Sequence, residues 1–223
     1  MPQAKELTKA VEEYLEAIHR SSESGGPTTT GLAKQLGVAP ASVTGMLRRL
    51  AEQKLITHER YGRIALTSEG RKRARAVIRR HRLAERLLTD VLGVPLDQVH
   101  DEACRLEHAL SPEIEDRIAQ TLGAPEACPH GNPIDVRSER KASRLSDATE
   151  GESFVVVSLT DESPEVIRYL TEHGVMPSAR LKVTGSEPVG GGVKVTVKGV
   201  KQTLSRELAA TIRVLPDDEG DHP

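Results

Sequence analysis

Residues 81–108 read HRLAERLLTDVLGVPLDQVHDEACRLEH, and these 28 residues decide what kind of chain this is. His81 and Glu85 stand four apart and project from one face of a helix. After the break at Gly93-Val94-Pro95, a second helix places His100, Cys104, Glu107 and His108 at offsets 0, 4, 7 and 8, in a single stripe. Helical stripes of this spacing are ordinarily filled with Leu and Val. Here one carries imidazole, thiol and carboxylate, which cost several kcal/mol to bury unpartnered. Taken singly, a buried Cys is most often a small hydrophobe and a His a hydrogen-bonded structural residue. Six such residues at compatible spacing point instead to a divalent cation.

Composition narrows the rest. A chain of 223 residues holds one large domain or two modest ones. Phe154, three Tyr and no Trp are its whole aromatic content, so Leu, Val, Ile and Ala must build the cores, and base-stacking platforms are not expected. No apolar run approaches the roughly 20 residues that span a bilayer. The start, MPQAKELTKAVEEYLEAI, is an amphipathic helix without a signal-peptide core, so a cytoplasmic protein with no membrane partner is expected. Cys104 and Cys128 make no disulfide framework and are available as thiols. The net charge of -2 hides an asymmetry: residues 1–93 carry 17 Lys and Arg against 10 Asp and Glu, and residues 94–223 carry 14 against 23. The N-terminal half has the balance of a surface that meets a polyanion.

That half carries a matching pattern. Residues 5–20 form a first helix with Leu7, Val11, Tyr14, Leu15 and Ile18 on its apolar face. A short helix then ends at Gly37, and Pro40 opens a second with Val43, Met46, Leu47 and Leu50 inward. This is a helix-turn-helix, whose second helix enters the major groove of DNA. Ala39, Pro40, Ala41, Ser42, Thr44 and Gly45 are small enough for close approach to base edges, while Arg48 and Arg49 reach phosphates. LITHERYGRIALTSEG alternates around Tyr61-Gly62 as a hairpin wing, with Arg60 and Arg63 near its tip.

A long helix runs from Ser68 to Leu92, the ligand helix covers 96–110, and a third starts at Ser111, a good N-cap. Their aliphatic faces, attached to one DNA reader, suggest a homodimer on two half-sites. Residues 123–150 lose periodicity and read as a linker; Cys128-x-His130 within it is better read as a Pro-fixed turn than as a ligand pair. Several short strands over 152–215 read as a small barrel, with the helix SPEVIRYLTEHG among them.

With these pieces in hand, the chain resembles the diphtheria-toxin-repressor family of metal-dependent transcriptional regulators. The segments HRLAERLLTD and VHDEACRLEH carry the likeness, which extends over nearly the full length. The resemblance implies an α+β chain, mainly α: a winged helix-turn-helix over 1–73, metal-binding and dimerisation helices over 74–124, a linker over 125–150, and a small SH3-like β-barrel, similar to a ferrous-transport accessory domain, over 151–216. It implies two metal sites. One would use Glu13 with Cys104, Glu107 and His108; the other would use His81, Glu85 and His100, completed by Glu162 and Glu165 of the barrel. Iron-responsive members place a methionine where this chain has Glu13, and Glu16 follows as in manganese-responsive relatives, which however use a carboxylate where Cys104 stands. Oxygen-rich coordination suits manganese(II), while a thiolate pulls toward iron(II), cobalt(II) or zinc. Manganese is therefore expected first and iron second, with cobalt or zinc possible in vitro.

Charge suggests how an ion would act. Glu13, Glu16, Glu107 and a partly ionised Cys104 repel one another, and a shared cation turns that repulsion into cross-links between helix 5–20 and helix 96–110. The spacing of two recognition helices on double-stranded operator DNA would follow. No small organic substrate is implied. Two other readings compete: a di-metal carboxylate oxidase, echoed by Glu16-x-x-His19 and Asp97-x-x-His100, and a metal-binding scaffold that never touches DNA.

Overall fold

The computed structural model describes residues 7–22, 26–58, 63–138 and 142–217. It divides into two compact units, Met1–Arg80 and His81–Pro223, the division falling inside one long helix.

In the first unit, α1 (Lys9–Ser22) buries Val11, Tyr14, Leu15, Ala17 and Ile18, the face its apolar spacing predicts. Thr28 caps α2 (Thr29–Leu36), its hydroxyl accepting from Gly31 N at 3.0 Å. Gly37, at φ 65°, ends that helix in the left-handed conformation that only glycine adopts cheaply. After a two-residue turn, Pro40 starts α3 (Pro40–Glu52), which buries Val43, Leu47 and Leu50 and leaves Met46 half-buried. The wing pairs β1 (Ile56–His58) antiparallel to β2 (Ile64–Leu66). Its expected tip, Arg60 and Tyr61-Gly62, lies outside the described residues.

The long helix α4 (Ser68–Asp90) packs tightly on the start of the wing: a Cβ on Gly70 would stand 1.9 Å from Leu55 O. Arg71 ties its first turn down further, donating to Leu66 O at 2.6 Å.

The second unit begins on α4 and continues through α5 (Val99–Leu106) and α6 (Pro112–Thr121), with Ser111 capping α6 as expected. The helix expected over 96–110 is shorter: it tightens into a single 3-10 turn over Glu107–Ala109. Leu83, Ile118, Cys128 and Ile134 form one small core here, and Ala84, Leu88, Val99 and Ala103 another.

The rest is a six-stranded antiparallel sheet. In chain order it comprises β3 (Ser143–Arg144), β4 (Ser153–Leu159), β5 (Arg180–Ser186), β6 (Val193–Val197), β7 (Val200–Leu204) and β8 (Ile212–Pro216), arranged spatially as β3-β8-β4-β5-β6-β7. Alternate residues such as Phe154, Val156, Leu181, Val183, Val193, Val195 and Val197 turn inward, joined by Ile167 and Leu170 of α7 (Pro164–Glu172) and Ala209 of α8 (Arg206–Thr211). The α+β class is as expected, but the sheet does not close: among the described residues no ladder joins the end strands β3 and β7.

The expected linker is also more ordered than its composition suggests. It carries buried Cys128, His130, Asn132, Ile134 and Val136, and it supplies β3. No helix of the described residues is long and apolar enough to cross a membrane.

Candidate metal centre

The helical spacing read from the sequence delivers what it promises on α4: His81 and Glu85 point the same way and are fully buried. The pair is close, with His81 Nε2 3.1 Å from Glu85 Oε1. From α5, His100 Nδ1 approaches His81 Nε2 at 3.2 Å and Glu85 Oε1 at 3.6 Å. Cys104 Sγ, one turn on, lies 3.7 Å from His100 Nε2 and 3.9 Å from His81 Nδ1. The 3-10 turn brings Glu107 in beneath them, its Oε2 2.7 Å from His81 Nδ1 and its Oε1 3.0 Å from His108 Nε2. The sheet contributes Glu162, in the loop between β4 and α7, with Oε2 2.9 Å from His100 Nδ1.

Two residues set aside in the sequence reading belong here as well. Cys128 and His130 are buried, and His130 Nδ1 lies 3.3 Å from Glu85 Oε1 and 3.8 Å from Glu162 Oε1. The signal was present as Cys128-x-His130, but a Pro- and Gly-rich surrounding reads as a solvated turn. Only packing against the sheet reveals the pair as interior.

Ligand-type atoms therefore gather in three overlapping groups, each within 4.8 Å: His81, His100 and Cys104; His81, Glu85, His100 and Glu162; and Glu85, Cys128, His130 and Glu162. Glu165, expected beside Glu162, is exposed on the first turn of α7 and joins none of them. The Ser163-Pro164 start of that helix separates the two carboxylates. In the first unit, Glu13 faces Lys9 at 3.7 Å and Glu16 faces Arg20 at 2.9 Å.

Electrostatics in this cluster is a balance of burial against close partners. Burial opposes a charge on His81, but the Glu85 charge and hydrogen bonds with Cys104, Glu107 and Glu85 outweigh it and hold the imidazole well above its usual range. His100 follows suit: burial works against protonation, yet Cys104, Glu162 and Glu85 push it up to about 11. Burial would raise Glu85, but His81, His100 and His130 hold it well below the usual carboxylate range. The Cys104 thiol, raised by burial, is brought down by His100 and His81. Cys128 differs: burial, then Glu85 and Glu162, push it well up. The raised imidazoles and the lowered Glu85 and Cys104 thus express one pairing, positive charge on the rings favoured by negative charge beside them.

These donors fit a divalent cation. Glu85 Oε1 faces His81, His100 and His130, and its Oε2 is buried with no hydrogen-bond partner among the described residues, an arrangement of carboxylate and imidazole donors that a divalent cation would satisfy. The di-metal oxidase reading finds no second pair here, because Asp97 joins none of the three groups of ligand-type atoms among the described residues.

In the helix-turn-helix, every residue expected at DNA on α3 and its cap is exposed: Ala39, Pro40, Ala41, Ser42, Thr44, Gly45, Arg48 and Arg49. Arg63, just before β2, is exposed too. A Cβ on Gly45 would meet nothing within 4 Å, so packing in the chain does not require a glycine there.

Comparison with known proteins covers most of the chain. The N-terminal DNA-binding domain of iron dependent repressors matches residues 6–64, their metal binding and dimerisation domain matches 67–135, and the FeoA domain matches 143–216. The iron-dependent repressor IdeR of Mycobacterium tuberculosis (strain ATCC 25618 / H37Rv) is 35% identical, covering 94% of this chain and 98% of its own length. The diphtheria toxin repressor of Corynebacterium diphtheriae is 34% identical with the same coverage. A solved manganese-dependent transcriptional repressor in complex with manganese superposes with a TM-score of 0.87 at 33% identity, over 93% of this chain and 100% of that one. The chain belongs to the diphtheria-toxin-repressor family of metal-dependent, DNA-binding transcriptional repressors.

Proposed function

We propose that this repressor responds to manganese(II) first and iron(II) second, and that as a cytoplasmic homodimer it represses genes of metal homeostasis. The observation that carries the metal reading is the set of His81, Glu85, His100 and Glu162, buried but for His100, whose ligand atoms all lie within 4.8 Å of one another. Oxygen and imidazole donors suit manganese; Cys104, with its lowered pKa, pulls toward iron, cobalt or zinc. A bound divalent cation supplies the positive charge that protons carry in its absence.

On this reading, His81, Glu85, His100 and Glu162 hold one ion. Cys104, Glu107 and His108, with Glu13 and its neighbour Glu16 of α1, hold the other, as the resemblance implies. Glu165 has no part in it. Homodimer formation would cover Val91, Leu92 and Ile114, which are 57%, 64% and 46% exposed on the helical part of the second unit. Double-stranded operator DNA would meet the exposed face of α3 and Arg63, with Arg60 at the wing. A metal preference for the DNA-bound arrangement of about 1–3 kcal/mol changes DNA affinity about 5- to 150-fold, and DNA must tighten metal by the same factor.

The test is a DNA-binding titration across manganese, iron(II), cobalt(II) and zinc, with stoichiometry measured alongside, on the wild type and on Glu107→Ala. Tightest operator binding with manganese, lost in Glu107→Ala while the dimer persists, supports the reading. Operator binding that survives exhaustive chelation overturns it.

A further inference from the structure

The loop from Cys128 to Pro133 is held from three directions. Arg82 of α4 donates to Pro133 O at 2.5 Å, His130 Nε2 lies 3.4 Å from Leu96 O, and Leu159 N at the end of β4 donates to His130 O at 2.9 Å. Inside the loop, Cys128 N donates to Asn132 O at 2.8 Å and Gly131 N to Cys128 O at 2.9 Å. The fit against the sheet is close enough to demand glycine: Gly131 has φ 83°, and a Cβ there would stand 2.0 Å from Val157 O, where β4 shifts register. The loop is thus the piece by which the helical part and the sheet of this unit share a set of ligands.

At its centre is Asn132, only 7% exposed. Its Nδ2 donates twice, to Leu159 O at 2.9 Å and to Glu162 Oε1 at 2.7 Å. Both partners accept, so the amide's NH2 end must be the one that faces them, and an NH2 group cannot itself ligate a cation. Glu162 stands in a loop, not on a helix or strand. With Oε1 engaged by Asn132, its Oε2 is the oxygen that lies 2.9 Å from His100.

We infer that Asn132 is a positioning residue of the metal centre: by binding Glu162 Oε1 and the end of β4 together, it presents Glu162 Oε2 to the ion and makes the sheet's contribution depend on the folded Cys128–Pro133 loop. Outer hydrogen-bond partners of ligating carboxylates tune metal affinity in this way, and their loss costs about 10- to 100-fold. The inference rests on the metal-centre reading above.

A double-variant cycle on the full chain, with cobalt(II) as the probe, tests it. Wild type, Asn132→Ala, Glu162→Ala and the double variant are stripped of metal and titrated while the ligand-field absorption of cobalt is recorded. Thermal unfolding of each metal-free protein is followed in parallel. Asn132→Ala should weaken cobalt binding about 10- to 100-fold and alter its spectrum. The double variant should bind no more weakly than Glu162→Ala, because Asn132 acts through Glu162. If Asn132→Ala does not unfold cooperatively, Asn132→Ser, which keeps a donor of shorter reach, carries the same cycle. Unchanged affinity and spectrum on replacing Asn132, or a double variant that loses the product of the two single losses, overturns the inference while leaving the metal centre standing. A wild type that binds no cobalt overturns the metal-centre reading itself, and this inference with it.

Discussion

His100 Nδ1, on α5, lies 2.9 Å from Oε2 of Glu162, a residue 62 positions later in the chain that stands beside the sheet. This contact joins helix and sheet through one proton, and a cation that takes the same atoms must displace it. Metal ligands bind in their deprotonated forms, so loading releases protons. His100 is pushed up to about 11 and His81 is also raised, so a cation taking these nitrogens displaces imidazole protons. Metal affinity should therefore rise with pH, by about tenfold per unit for each proton released. Calorimetry in two buffers of different ionisation heat, at pH 6.5 and 8, measures the number directly. A proton count of zero would contradict the cluster.

The same contact sets a sign for stability without metal. A histidine whose folded pKa lies above its unfolded value of 6.5 stabilises fully below 6.5, and that contribution fades as pH rises toward the folded value of about 11. The stability difference between the metal-free wild type and His100→Ala should shrink steadily from neutral pH toward pH 11. Chemical denaturation at a series of pH values reads it; a difference that stays flat over this window would show that His100 is neutral in the cluster.

Much of this was legible from local pattern. The i, i+4 spacing of His81 and Glu85 fixes their common face whatever packs on it, and Gly37 and Pro40 mark the turn of the helix-turn-helix by backbone chemistry alone. Ser111 announces α6 for the same reason. What was not legible depends on tertiary packing. Nothing in CPHGNP distinguishes a solvated turn from one pressed against Val157, so Cys128, His130 and Asn132 emerge only with β4 in place. The 3-10 turn that carries Glu107 under His81 is likewise invisible to a 3.6-residue period. Short alternating strands look alike in open and closed sheets, and strand order decides between them.

Gly45 offers a test of the DNA face. Glycine in an exposed helix interior costs about 0.5–1 kcal/mol relative to alanine, and a Cβ here meets nothing. Gly45→Ala should stabilise the protein by about that amount. If the reason for glycine is close approach to DNA, the same variant should bind operator more weakly. Improved stability with unchanged operator affinity would remove Gly45 from the interface.

Arg48 and Glu52 make the sharpest case, because stability and binding should part company. Arg48 Nε lies 3.2 Å from Glu52 Oε1 in an exposed i, i+4 pair, with side chains 84% and 65% accessible, so their attraction adds little to the fold. On the surface expected at DNA, however, Glu52 holds a cation that phosphate would otherwise take and adds a negative charge that repels the duplex. Arg48→Ala should weaken operator binding at every metal concentration and reduce the slope of log affinity against log salt by about one. Glu52→Gln should do the reverse, strengthening binding most at low salt, where the repulsion is least screened. Neither should shift the metal concentration at half-maximal loading measured without DNA, since both changes lie outside the ligand cluster. Fluorescence anisotropy at three salt concentrations separates these outcomes, and a Glu52→Gln protein that bound operator more weakly than wild type would show that this end of α3 does not face the phosphates.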